Sequence, residues 1–161
     1  MTRCYLDTNY AFSQMRDAGG AASEPYRHWR RVVLRELGHD SAVISARVFD
    51  ELAYRLVLTW LREDGVRDPL HTYRANGIQV MRSMRERLGE VWHQIERLRW
   101  EVHATTHAVV DRALLLMGDP GLSPRDAFHA AHAIDAECPL IASSDGAFDL
   151  VPALHRIAPQ E

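Results

Sequence analysis

A chain of 161 residues with 47% hydrophobic content is long enough for one compact domain that buries most of its apolar surface without disulfides or a structural metal. Its net charge of −3 excludes a broad basic surface of the kind that grips duplex DNA regardless of sequence. All 19 basic residues are arginine, which excludes any chemistry that needs a lysine amine.

There is no run of about 18 apolar residues, and no basic segment leading into an apolar stretch and a small-residue cleavage site at the start. The expectation is a single domain over residues 1–161, soluble and cytoplasmic. Cys4 and Cys138 lack CxxC spacing and lie in or beside strand-like runs, so they read as small core residues in a reducing compartment.

Residues 3–7 (RCYLD) read as a short buried strand, and an aspartate at its end can cap a helix that follows. DAGGAASE at 17–24 reads as a loop, and PYRHWRRVVLREL at 25–37 as a helix opened by a proline. AVIS at 42–45 is strand-like. In the next stretch, 46–61, Val48, Leu52, Leu56 and Trp60 recur at helical spacing. Residues 77–100 predict one long, arginine-rich amphipathic helix, interrupted near Gly89, with Ile78, Met81, Met84, Leu88, Val91, Ile95 and Leu98 as its apolar stripe.

EVHA at 101–104 reads as another short strand, and Thr106 starts a helix that stops at Gly118. LSPRDAFHAAHAIDAE at 122–137 carries a helix start, with Ser123 as cap, Pro124 in the first turn and Asp126 at the third helical position. PLIAS at 139–143 closes the series as a strand. Strands separated by helices, without hairpin signals, predict an α/β fold of three layers, α/β/α, around a central parallel sheet of about four or five strands.

In such sheets the functional crevice lies outside the carboxyl ends of the strands. The first strand ends at Asp7, the second leads to Glu51 two turns into its helix, and the last runs through SSD to Asp145, while Asp126 opens the preceding helix. Each acid also has an ordinary local duty. Asp7 fits a helix cap, Glu51 a solvated helix flank, Asp126 a capping box and Asp145 a turn before Gly146. Their joint placement points further. Ala127, Ala130 and Ala131 make a helix face small enough to bring Asp126 inward, and clustered carboxylates repel unless a divalent cation offsets them. Hard oxygen donors without cysteine select Mg²⁺, or Mn²⁺, over zinc, and such a site suits phosphate oxygens and an activated water.

The ordered set YLDTN, SARVFDEL, LSPRDAFHAAHA and IASSDGAFDLVPAL resembles the PIN-domain ribonucleases, most of all their VapC-type toxin branch, from Met1 to about Ile157. The resemblance implies a PIN-like fold and a metal-dependent endoribonuclease in which Asp7, Glu51, Asp126 and Asp145 surround Mg²⁺. It implies supporting roles for Thr8, Asn9 and Ser143, and it places His129 where the family often has a histidine. It also implies products with a 5′-phosphate and a 3′-hydroxyl, inhibition by a cognate antitoxin as part of a toxin-antitoxin system, and homodimer formation. One departure stands out: the acid that many relatives carry just before the phenylalanine of the last motif is here Ala147, with Asp149 following Phe148, so Asp149 is a less secure supporting residue.

For an RNA substrate, Arg27, Arg30 and Arg31 of the first arm and Arg82 and Arg85 of the middle helix offer phosphate contacts, with Trp29 or Tyr26 to stack on a base. Three other readings compete. A haloacid-dehalogenase-like phosphatase also begins on a strand-end aspartate, but its DxD motif is here Asp7 and Asn9, and its lysine is missing. A zinc site would draw on His103, His107 and Asp111, or on His129 and His132, yet nine histidines produce such spacings by chance and structural zinc wants four ligands. A non-catalytic RNA- or protein-binding module is the third, and the presence of all four acids argues against it.

Overall fold

The computed structural model describes residues 2–18, 24–37 and 42–159. Among these, five strands form one parallel sheet: β1 (Cys4–Leu6), β2 (Ala42–Ser45), β3 (Glu101–His103), β4 (Leu140–Ala142) and β5 (His155–Ile157). Seven α-helices connect them: α1 (Thr8–Ala18), α2 (Glu24–Leu37), α3 (Ala46–Glu63), α4 (Pro69–Ser83), α5 (Arg85–Arg97), α6 (His107–Gly118) and α7 (Pro124–Asp135). The strand order is β3-β2-β1-β4-β5. The chain therefore winds outward from β1 to one edge, then crosses back and continues on the other side through β4. Because parallel crossovers are right-handed, the two directions of travel put their helices on opposite faces, which makes the three layers expected from the sequence.

Register ties the centre together. Tyr5 lies beside Val43 on one side and Ile141 on the other, and Leu6 beside Ala142. Cys4, Tyr5, Leu6, Val43, Ile44 and Ile141 are fully buried, the pattern of strands covered on both faces, and both cysteines are free and buried. Trp29 is also buried in this core, where its indole N–H donates to the Ile157 carbonyl at 2.8 Å and fastens α2 to β5. Its proposed stacking on a base is thereby excluded.

The predicted starts of α6 and α7 are observed with their caps. The Thr106 side chain accepts the Val109 N–H, and that of Ser123 accepts the Asp126 N–H. Ala127, Ala130, Ala131 and Ala133 are all at 0% exposure, so the small face of α7 does permit the close packing foreseen for it. Of the loop predicted at 17–24, residues 17 and 18 end α1, residue 24 opens α2, and 19–23 lie outside the described residues.

The long middle helix is a correction. Its break falls at Met84 between α4 and α5, with a further kink at Asn76, and helix α5 runs through Gly89 without interruption. Burial explains the position: Val80 and Met84 pack with Val57 and Leu61 of α3 in a second apolar cluster, and reaching it requires α4 to fold back before α5 departs. The helix also begins earlier, at Pro69, where Asp68 caps it by accepting the His71 N–H. β5 and the 3-10 turn over Gly146–Leu150 carry too little pattern to be read from sequence. Among the described residues no helix is long and apolar enough to cross a membrane.

Candidate active site

The reversal of strand order lies between β1 and β4, and the residues that leave the carboxyl ends of those two strands are Asp7 and Ser143. Asp7 is only 4% exposed, and its carboxylate is held from three directions. Ser143 Oγ donates to Asp7 Oδ2 at 2.6 Å, Asn9 Nδ2 donates to the same oxygen at 3.2 Å, and the Thr8 N–H donates to Oδ1 at 2.6 Å. The Asp7 carbonyl accepts the Ala11 N–H, so the backbone takes the cap position while the side chain turns to the crevice. Thr8 and Asn9 do not hold the turn with their side chains: Thr8 Oγ1 donates to Glu51 Oε2 at 3.2 Å, and Asn9 Oδ1 accepts from Arg55 at 2.8 Å.

Glu51 comes from α3 and reaches the same place. Its Oε1 lies 2.9 Å from Arg47 Nε, 3.2 Å from Arg125 Nε and 3.5 Å from His129 Nε2, and it is buried without forming a hydrogen bond. Burial alone raises the Glu51 carboxyl, but His129, Arg125 and Arg47 outweigh it and hold the group below the ordinary carboxylate range, so it is ionised at neutral pH.

His129, from α7, is 1% exposed and stands between the two acids, its Nε2 3.7 Å from Asp7 Oδ1. Its Nδ1 lies 3.0 Å from the Tyr5 hydroxyl, which in turn is 2.7 Å from Ser45 Oγ. Burial pushes the Tyr5 phenol far up, so it stays protonated. With Nδ1 turned to that hydroxyl, Nε2 is the ring nitrogen that faces the two carboxylates.

The other two acids stand apart. Asp126 accepts the Ser123 hydroxyl at 2.6 Å and donates its own N–H to the same Oγ at 3.3 Å, so Ser123 caps α7 and holds the Asp126 side chain without the reciprocal bond of a capping box. Asp145 is exposed and its Oδ1 accepts the Ala147 N–H at 2.9 Å, while its own N–H donates to Ser143 Oγ at 3.0 Å. Ser143 thus links the two strand-end aspartates through one hydroxyl. Asp149 is engaged elsewhere, in a two-pronged pair with Arg156 at 2.8 and 2.6 Å. Among the described residues no three His, Cys, Asp or Glu side chains form a group that can hold a metal as they stand. This applies to the zinc combinations too. His103 belongs to β3 and pairs with His132 at 3.2 Å instead of joining His107 on a helix.

Of the arginines proposed for RNA, Arg27 and Arg31 pair with Glu24, Arg30 lies against Tyr10, and Arg82 and Arg85 are exposed around the α4–α5 break. The sequence reading missed Arg47 and Arg125, which sit nearest the acids. The i, i+4 spacing of Arg47 and Glu51 is a signal that identifies one of them. Nothing local marks Arg125, which gains its position only through the packing of α7.

A family model described as PIN domain matches residues 4–154. No curated protein matches the chain by sequence. Solved structures do resemble it in fold. A toxin-antitoxin complex from Klebsiella pneumoniae superimposes with a TM-score of 0.57 at 13% identity, covering 98% of each chain. VapBC2 from Rickettsia felis, bound to a DNA fragment from its promoter, gives 0.57 at 16% identity over 96% of this chain and 97% of that one. FitAcB from Neisseria gonorrhoeae gives 0.57 at 19% identity over 97% of each.

Proposed function

Since the chain belongs to the PIN domain family, whose members are generally nucleases, we propose that it is a metal-dependent endoribonuclease, a VapC-type toxin held in check by a cognate antitoxin. The observation that carries this reading is the pair of carboxylates at the switch point, Asp7 and Glu51, which share His129 between them, with Arg47 and Arg125 beside Glu51. Carboxylates that converge from separate elements repel unless a cation lies beside them.

The donor set fits a hard divalent ion. Asp7, Glu51, Asp126 and Asp145 would hold Mg²⁺, with Mn²⁺ as substitute, the latter two after leaving their local hydrogen bonds. Such an ion supplies charge for phosphodiester oxygens and lowers the pKa of a water. The chain's own residues do the rest. Ser143, Asn9 and the Thr8 N–H fix the Asp7 carboxylate, and Thr8 and His129 fix Glu51. Arg47 and Arg125 supply positive charge for phosphates beside it. Water attacks phosphorus, the bond to O3′ breaks, and the products carry a 5′-phosphate and a 3′-hydroxyl.

The antitoxin partner is supported by the neighbour from Klebsiella pneumoniae, which is a toxin-antitoxin complex. The test is direct: incubate the purified protein with structured RNAs and Mg²⁺, with EDTA and Asp7→Asn as controls. Cleavage is expected to require both the metal and Asp7, and cleavage that survives Asp7→Asn would sink the assignment.

A further inference from the structure

We propose that the cleft bordering Glu51, between α3, α4 and the start of α7, is a nucleotide subsite: a single RNA base stacks on Tyr54 while Arg47 and Arg125 take the phosphate beside it. This rests on the nuclease reading above and names the part of that site which grips the strand.

The cleft has a volume of about 370 Å³, within the range of small-ligand sites, and it is continuous with the buried acids because Glu51 itself lines it. Its lining includes Arg47, Arg55 and Arg125, the acids Asp50 and Glu51, and the apolar bodies of Tyr54, Tyr73 and Met81. That combination of guanidinium and aromatic groups in one cleft is what an unpaired nucleotide requires, since its phosphate seeks guanidinium and its base seeks a π-face.

Three details separate this cleft from an ordinary surface hollow. Tyr54 is 42% exposed, and Tyr73 meets its ring edge-on at 5.4 Å and 80°, so the ring is braced and yet open to a ligand. The Arg47 side chain stays 41% exposed while its Nε pairs with Glu51 Oε1 at 2.9 Å, which sets a guanidinium at the point where Glu51 enters the cleft. The Arg125 side chain remains 64% exposed although it pairs with Glu51, so its outer nitrogens are open to a phosphate. Arg55 is fixed differently, by Asn9 and by the Phe12 ring 4.4 Å below its guanidinium, and it contributes charge from a set position. The RNA arginines expected from the sequence line none of this space.

The test measures affinity without cleavage. The full chain is titrated against a fluorescein-labelled, mixed-sequence short single-stranded RNA in EDTA, followed by anisotropy. Tyr54→Ala is expected to weaken binding about tenfold, the size of one lost base-stacking contact. Arg125→Gln should do the same, Tyr54→Phe should stay within about twofold because the ring is kept, and Arg112→Gln on α6 serves as the unaffected surface control. Wild-type protein that binds no RNA, or Tyr54→Ala and Arg125→Gln variants that bind as tightly as wild type, overturns the subsite. So does an effect of these variants confined to capture of a protein partner. The nuclease reading fails separately, if Asp7→Asn still cleaves.

Discussion

The floor of the candidate site and its rim use the same kind of residue in opposite ways. Asp7 and Glu51 are withdrawn from water and tied into a network that runs through Ser143, Thr8, His129, Tyr5 and Ser45. Asp126 and Asp145 lie toward solvent, Asp126 held by the Ser123 hydroxyl and Asp145 capping the turn that follows it. The difference shows that a carboxylate's place in a motif and its work in the folded chain are separate facts. The floor is built by long-range packing that brings β1, α3, β4 and α7 together, and its geometry is over-determined. The rim is built by contacts two or three residues apart, which break cheaply and leave the carboxylates free to turn.

Asp7→Asn is the strongest attack on the floor. The amide keeps the shape but loses one acceptor and the charge, so RNA cleavage should fall by more than the about 10- to 100-fold typical of an outer-shell residue, with the thermal midpoint little changed. Ser143→Ala leaves every acid in place and removes only the hydroxyl that joins Asp7 to the Asp145 backbone. Cleavage rate and Mg²⁺ affinity should drop by about 10- to 100-fold, read by kinetics and calorimetry. Loss of activity without loss of metal affinity would assign Ser143 to some other step.

Acid titrates the floor from behind. His132, 1% exposed and stacked on Tyr5, has its pKa lowered to about 4, by burial first and then by His103 and His129, with Asp135 opposing. The folded value lies below the ordinary one, so between the two the unfolded chain binds the extra proton. His132 therefore costs no stability above about pH 6.5, and stability is lost as pH falls toward 4, at up to about 1.4 kcal/mol per pH unit. Urea unfolding at several pH values should show a steeper fall for the wild type than for His132→Gln. Equal slopes would place the proton elsewhere.

Much of this architecture is written locally. The strand ends at Leu6 and Ala142, the caps at Thr106 and Ser123, and the alanine face of α7 follow from neighbouring residues alone, which is why the fold can be read and four candidate acids named from the chain. What is missed depends on residues far apart. Tyr5, Ser45 and His129 meet across separations of 40 and 124 residues, and no periodicity announces a buried polar chain. The α4–α5 corner is set by the burial of Val80 and Met84 against α3, which overrides the continuous helical stripe. Trp29 looked like a surface aromatic among arginines, yet a long-range bond to β5 keeps it inside.

The smallest effect is the most discriminating for the rim. Ser123→Ala removes the hydroxyl that both caps α7 and holds the Asp126 carboxylate in place. Loss of a cap of this kind costs about 1 kcal/mol, visible as a lower urea midpoint. It also frees Asp126 from the one hydrogen bond that keeps it from the crevice. If the rim acids join the floor only when metal binds, removing the competitor should leave Mg²⁺ affinity unchanged or tighter while stability falls. If the cap instead aims Asp126 for its task, affinity and stability should fall together. The same substitution thus separates a carboxylate that waits at the rim from one already in position.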